Sequence, residues 1–68
     1  MKNCIVVLPY TETARLFNAS KTVKQEAFIG ENGKEVYWQD EAAKFTATDA
    51  CNLAIKTGNN QAFVRQID

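Results

Sequence analysis

Phe45-Thr46-Ala47-Thr48-Asp49-Ala50-Cys51-Asn52-Leu53-Ala54-Ile55-Lys56-Thr57-Gly58 reads as one amphipathic helix with a start signal, a stop signal and one broad apolar side. Thr46 is placed to cap it, and Asp49, three residues on, to reach back to the cap's own N–H, a capping box with Asp in place of Glu. Phe45 before the cap and Ala50 four residues after it suit a hydrophobic staple. At about 100° per residue, Ala47, Ala50, Cys51, Leu53, Ala54 and Ile55 share an arc of roughly 200°. Thr48, Asp49, Asn52 and Lys56 fill the remainder. Asp49 in the first turn and Lys56 in the last have the signs that the helix dipole favours, and Gly58 supplies a left-handed stop. So wide an apolar side must lie on something, and the other hydrophobic runs have the look of strands.

Working outward, Gln39 to Lys44 forms a polar link into the helix, and Glu31-Asn32-Gly33-Lys34 before it is a hairpin signal. A two-residue Asn-Gly loop places both central residues at positive φ. Strands of roughly 22–31 and 34–39 would flank it. With Asn32 and Gly33 as the loop, Ile29 faces Val36, Phe28 faces Tyr37 and Ala27 faces Trp38. Alternation then puts Ala27, Ile29, Val36 and Trp38 beneath the helix, and Phe28, Tyr37, Glu26, Gly30, Glu35 and Gln39 on the opposite face.

At the N-terminal end, residues 3–8 form a continuous apolar run with β-branched Ile5, Val6 and Val7, the pattern of a central strand buried on both faces. Pro9 is expected to end it, because proline cannot donate to a ladder. Residues 10–21 favour a short helix or turn over a strand, with Thr11 as a cap. Asn59-Asn60 is a loop, and Ala62 to Ile67 closes as a strand. The expectation is a single α+β domain over residues 1–68, an antiparallel or mixed sheet of about four strands with one main helix across one face.

Sixty-eight residues lie near the small end of what folds alone, burying only about 60% of the unfolded surface and leaving little area for a deep pocket. With 46% hydrophobic and 24% charged residues the chain is ordinary globular material. Its longest apolar run, Cys4 to Leu8, is too short for a secretory leader or a bilayer span, so a cytoplasmic location and no membrane partner are expected. Eight basic and eight acidic residues cancel, against the basic excess usual in nucleic-acid binders. The charges are uneven, though: residues 1–25 carry Lys2, Arg15, Lys21 and Lys24 against Glu12, whereas six acids fall in residues 26–50. Cys4 and Cys51 leave two readings open, a disulfide if the helix lies over the first strand, or two inward free thiols.

The equipment of catalysis is missing. There is no histidine, so imidazole ligands and His-based triads are excluded. The cysteines lack zinc or redox spacing, and none of the three glycines belongs to a phosphate loop. Adjacent Asp40 and Glu41 read as a solvated turn rather than an acid–base pair. These features point to a chain that is not an enzyme and holds neither cofactor nor metal.

The feature singled out is the aromatic pair Phe28 and Tyr37, rimmed by Glu26, Glu35 and Lys34, on a sheet face left open opposite the helix. Exposed rings within a charged rim suit a protein-binding patch. The alternative is a minor second core, with Phe17, Leu16 or Tyr10 folded over the pair. Arg15, Lys21 and Lys24 are the residues that a nucleic-acid partner would use, although Glu26 and Glu35 beside the rings would repel phosphate. A homodimer through the same face or a sheet edge is a third possibility.

From Val36 onward, the order Tyr37-Trp38, Ala43-Lys44-Phe45-Thr46, Asp49-Ala50 and a terminal strand resembles many small bacterial and phage proteins. In size, acidity and lack of catalytic groups the chain is similar to anti-CRISPR proteins of phages and mobile elements. That resemblance implies a compact α+β domain that blocks a host complex such as a CRISPR–Cas effector by steric contact with its protein surface. The expected function is therefore a non-enzymatic, protein-binding inhibitor, with a small nucleic-acid-associated regulator as the alternative.

Overall fold

A computed structural model describes residues 1–16 and 19–67, with the backbone alone at Ala14 and Leu16. Within these bounds the chain forms β1 (Cys4–Leu16), β2 (Ala19–Ile29), β3 (Glu35–Val36), α1 (Ala47–Lys56) and β4 (Phe63–Gln66). The strands make one antiparallel sheet in the order β3-β2-β1-β4, so the expected α+β architecture with four strands and one main helix is the one that forms.

The helix begins at the residue its sequence marks, with half of the expected capping box: among the described residues no bond runs from the Thr46 N–H to the Asp49 carboxylate. Thr46 is the cap, and its Oγ1 accepts from the Asp49 N–H at 3.2 Å. Its apolar stripe is narrower than the sequence suggests. Ala50 is fully buried and Leu53 and Ala54 half-buried, against Cys4, Val6, Leu8, Ile29 and Val64 of the sheet. Ala47, Cys51 and Ile55, spaced four apart, point to solvent instead. Expecting both cysteines inside was therefore half right: Cys4 is buried, Cys51 is exposed, and both are free thiols. A sheet offers a helix one strip of contact, so only positions on the i, i+3, i+4 line reach it. Leu53→Ala is expected to cost about 2 kcal/mol, the low end for Leu→Ala because the side chain is only half-buried, read as a shifted urea midpoint.

Strand β1 is central where the sequence is most apolar. Ile5, Val6 and Val7 are fully buried, flanked by β4 in the register Ile5↔Arg65, Val6↔Val64 and Val7↔Phe63. The strand does not stop at Pro9, contrary to the sequence reading; it runs on to Leu16, paired with β2 from Val7↔Phe28 to Leu16↔Ala19. The hydrogen bonds explain why. Asn3 O accepts from Ile67 N–H, on the β4 side, whereas Cys4 exchanges both backbone bonds with Phe45 on the other side. Odd-numbered residues of β1 thus turn their backbone groups toward β4, which ends opposite Val7. The nitrogen of Pro9 faces an open edge, where a missing N–H breaks no ladder bond.

Residues 10–16 and 19–25 form a two-stranded arm rather than the expected helix or turn; Thr11 pairs with Lys24 and caps nothing. Seven residues of antiparallel strand reach about 24 Å, which accounts for a long axis of 48 Å against 23 and 20 Å. Most of the arm's described side chains are exposed.

The Asn-Gly turn forms with both residues at positive φ, Asn32 at 63° and Gly33 at 76°, but as a three-residue loop. Gly30 N–H donates to Lys34 O at 2.6 Å. The register becomes Phe28↔Val36 and Ile29↔Glu35, one residue away from the one expected. A slip of one residue sends each side chain to the other face. Val36 therefore lies with Phe28, Ile5, Val7 and Ala42 in a second cluster, away from the helix. Trp38, expected in the core, is 71% exposed. Taking Phe28 out of water gains about 1.5–3 kcal/mol, and this register secures that gain. After Val36 the chain turns through a 3-10 turn at Gln39–Glu41, and β3 is accordingly shorter than the expected strand over 34–39. Ala42 then bridges to Gly30.

Candidate functional site

The open aromatic sheet face does not exist as expected. Phe28 is 5% exposed, sealed beneath the returning 39–42 segment, whereas Tyr37 is 58% exposed and on the helix side. Phe17 and the Leu16 side chain, the alternative cover for such a face, lie outside the described residues. What closes the second face includes an arginine that sequence reasoning passed over. Arg65 projects from β4 across β1, with Nη2 2.7 Å from Glu26 Oε2 on β2 and Nη1 3.0 Å from Gln39 Oε1. Its guanidinium carbon stands 5.6 Å from the Phe63 ring centroid, within cation–π range. Glu26 is thereby paired within the molecule, although its side chain stays 41% exposed.

Tyr37 finds a different partner from the one expected. Because β1 continues past Pro9, Tyr10 stands beside it, ring centroids 6.2 Å apart and planes at 75°, an edge-to-face pair. The Tyr37 hydroxyl donates to Glu35 Oε1 at 3.0 Å. Leu8 and Ala27 line the hollow between the rings, of about 170 Å³, and Asn59 from the loop after α1 borders it. The expected binding residues thus divide three ways. Tyr37 and Glu35 meet at this corner, Lys34 is exposed in the neighbouring loop, and Phe28 and Glu26 lie on the opposite face of the sheet, Phe28 buried and Glu26 exposed. Tyr10 could have been found from the alternation of Tyr10, Glu12 and Ala14 with Thr11, Thr13 and Arg15, had the arm been read as strand.

The Glu35 bond, then the charge of the same carboxylate, pushes the Tyr37 phenol above the ordinary tyrosine value of 10.0. With a folded pKa above the unfolded one, the bond contributes fully below about pH 10 and is lost as the pH rises through the folded value. A carbon-13 NMR titration of the Tyr37 ring should show a raised midpoint that falls back toward 10.0 in Glu35→Gln.

Arg15, Lys21 and Lys24 all lie on the arm. Arg15 pairs with Ser20, Lys21 with Ala14 and Lys24 with Thr11. Alternation places Arg15 and Lys24 on one face with Thr11, Thr13, Ser20 and Thr22, and Lys21 on the other. Among the described residues, no group of three or more His, Cys, Asp or Glu gathers as metal ligands would. No described helix is long and apolar enough to cross a membrane.

Fold and site together define a small four-stranded antiparallel α+β domain with a projecting β arm and an exposed tyrosine corner at the arm's base. No family model, curated protein or solved structure matches the chain.

Proposed function

We propose that this chain is a non-enzymatic binding protein that acts by steric contact with a protein partner, through the corner formed by Tyr10, Tyr37 and Glu35. One observation carries this reading: two tyrosines from distant parts of the chain are held against each other at the surface, where neither completes the hydrophobic core. Rigid aromatic rings that keep a polar tip in water are the side chains most often found at the centre of protein interfaces. In the anti-CRISPR-like form of the proposal, the partner is a host defence complex such as a CRISPR–Cas effector, and the corner with the adjoining arm occludes one of its working surfaces.

Tyr37→Ala should leave the melting transition within a few degrees of the parent. It should also weaken capture of the partner about tenfold or more, as truncation of an interface hot spot does. Affinity capture from host lysate with parent and variant side by side, read by mass spectrometry, makes the comparison. A protein held by the parent and released by the variant supports the reading, and an identical captured set sinks it.

The arm favours a second reading, a nucleic-acid-associated regulator. A two-stranded ribbon fits the major groove, and one face of this ribbon carries Arg15, Lys24 and four hydroxyls, with Glu26 at its base already paired to Arg65. Two phosphate contacts, from Arg15 and Lys24, would make affinity fall roughly twelvefold over a fourfold rise in salt. Contact through the tyrosine corner would change far less.

A further inference from the structure

The tyrosine corner has a shape and a charge that select one kind of side chain. Resting on the protein-binding reading above, we infer that the hollow between Tyr10 and Tyr37 receives a basic side chain, foremost an arginine, presented by the partner protein. Two rings meeting near a right angle turn π faces toward one corner, and a cation is drawn to those faces. Glu35 stands beside them with one carboxylate oxygen bound by the Tyr37 hydroxyl. Among the described residues the one ion pair joins Arg65 to Glu26, so Glu35 has no cation of its own.

The same chemistry is satisfied from within on the opposite side of the sheet. There the Arg65 guanidinium sits against the Phe63 ring and bonds the Glu26 carboxylate. The corner has the ring faces and the carboxylate but lacks the guanidinium. At about 170 Å³ the hollow is smaller than the roughly 300–1,000 Å³ of small-molecule pockets, the scale of one side-chain head rather than a metabolite. Leu8 and Ala27 along the lining would pack against the aliphatic stem of such a side chain. Asn59 at the border only shapes the rim, since its Oδ1 and its backbone oxygen already accept from Gln61 N–H and Ala62 N–H. The carboxylate excludes an anion, and an uncharged apolar head would leave it unpaired.

The test uses the intact 68-residue chain and blocked amino acids as probes. N-acetyl-arginine methylamide is titrated to its solubility limit while the NMR signals of Tyr10, Tyr37 and Asn59 are followed, with N-acetyl-norleucine methylamide as the uncharged control. Saturable shifts confined to the corner, absent with norleucine and at least fivefold weaker in Glu35→Gln, are expected. Equal responses to the two probes, no response to arginine at the limit, or unchanged binding in Glu35→Gln each overturn the inference. The proposed function fails separately. Capture lost in Tyr37→Ala but indifferent to Glu35→Gln keeps the protein-binding reading and removes the cation. An arginine response with capture indifferent to Tyr37→Ala does the reverse.

Discussion

Phe28→Ala is expected to remove about 3–5 kcal/mol, the range for emptying a buried aromatic site. A domain of this length has roughly 3–10 kcal/mol in total, so the variant should lose much of its stability or unfold outright. The reason lies in the second apolar cluster. Phe28 is 5% exposed among Ile5, Val7, Ala42 and Val36, and the cavity left would sit between the sheet and the returning 39–42 segment, both tied down by backbone bonds. Partial collapse is the only relief, and Gly30 and Ala42 are too small to supply it. Urea unfolding followed by circular dichroism checks the result. A change below about 0.5 kcal/mol, the size expected of a surface position, would mean that Phe28 is not inside.

Gly30→Val should cost about 3 kcal/mol, the upper end for forcing extra carbon into a filled site. A Cβ at position 30 would stand 2.9 Å from Val36 Cγ1 and 3.3 Å from the backbone oxygens of both Lys34 and Glu41. Two of the three obstacles are backbone, which cannot rotate aside. The backbone of Gly30, at φ −90° and ψ −170°, is ordinary extended chain, so the penalty comes from space rather than strain. Gly33→Ala separates the two causes. Nothing lies within 4 Å of its added Cβ, but φ is +76°, and the expected loss is only about 1–2 kcal/mol. Thermal melts of the two variants, compared with the parent, give the order of the effects.

Both predictions concern the place where sequence and structure part. The helix, its cap, the central Cys4–Val7 strand, the positive-φ Asn32-Gly33 turn and the closing strand were legible, because each carries a local signal: a capping pair, an unbroken β-branched run, a turn dipeptide. The register across that turn was not. A two-residue and a three-residue loop read alike in Glu31-Asn32-Gly33-Lys34, and the choice is made by what Phe28 and Val36 gain against Ile5 and Val7, contacts far apart in sequence. The arm was hidden for another reason. Thr11, Thr13, Thr22 and Val23 are good strand formers, but with both arm faces mostly in water no apolar alternation announces them, and Pro9 read as a stop. Missing the arm removed Tyr10 from view, and with it half of the corner. Tyr37 and Glu35 were singled out as binding residues, and both are exposed at that corner, where a different aromatic neighbour accompanies them. Arg65 was invisible as the tie over the second face, since nothing in Phe63-Val64-Arg65-Gln66 indicates that Glu26 lies one strand beyond.

The single-residue register between β2 and β3 decides whether Val36 or Tyr37 shares the face of Phe28. A two-dimensional NOESY spectrum reads it directly. In the observed ladder Phe28 and Val36 are hydrogen-bonded partners, so the close Hα–Hα approach belongs to the next pair, Ile29 and Glu35. An Ile29–Glu35 Hα–Hα cross-peak, accompanied by ring contacts between Tyr10 and Tyr37, is the expected result. A Phe28–Tyr37 Hα–Hα cross-peak in its place would put both rings on one open face and contradict the account.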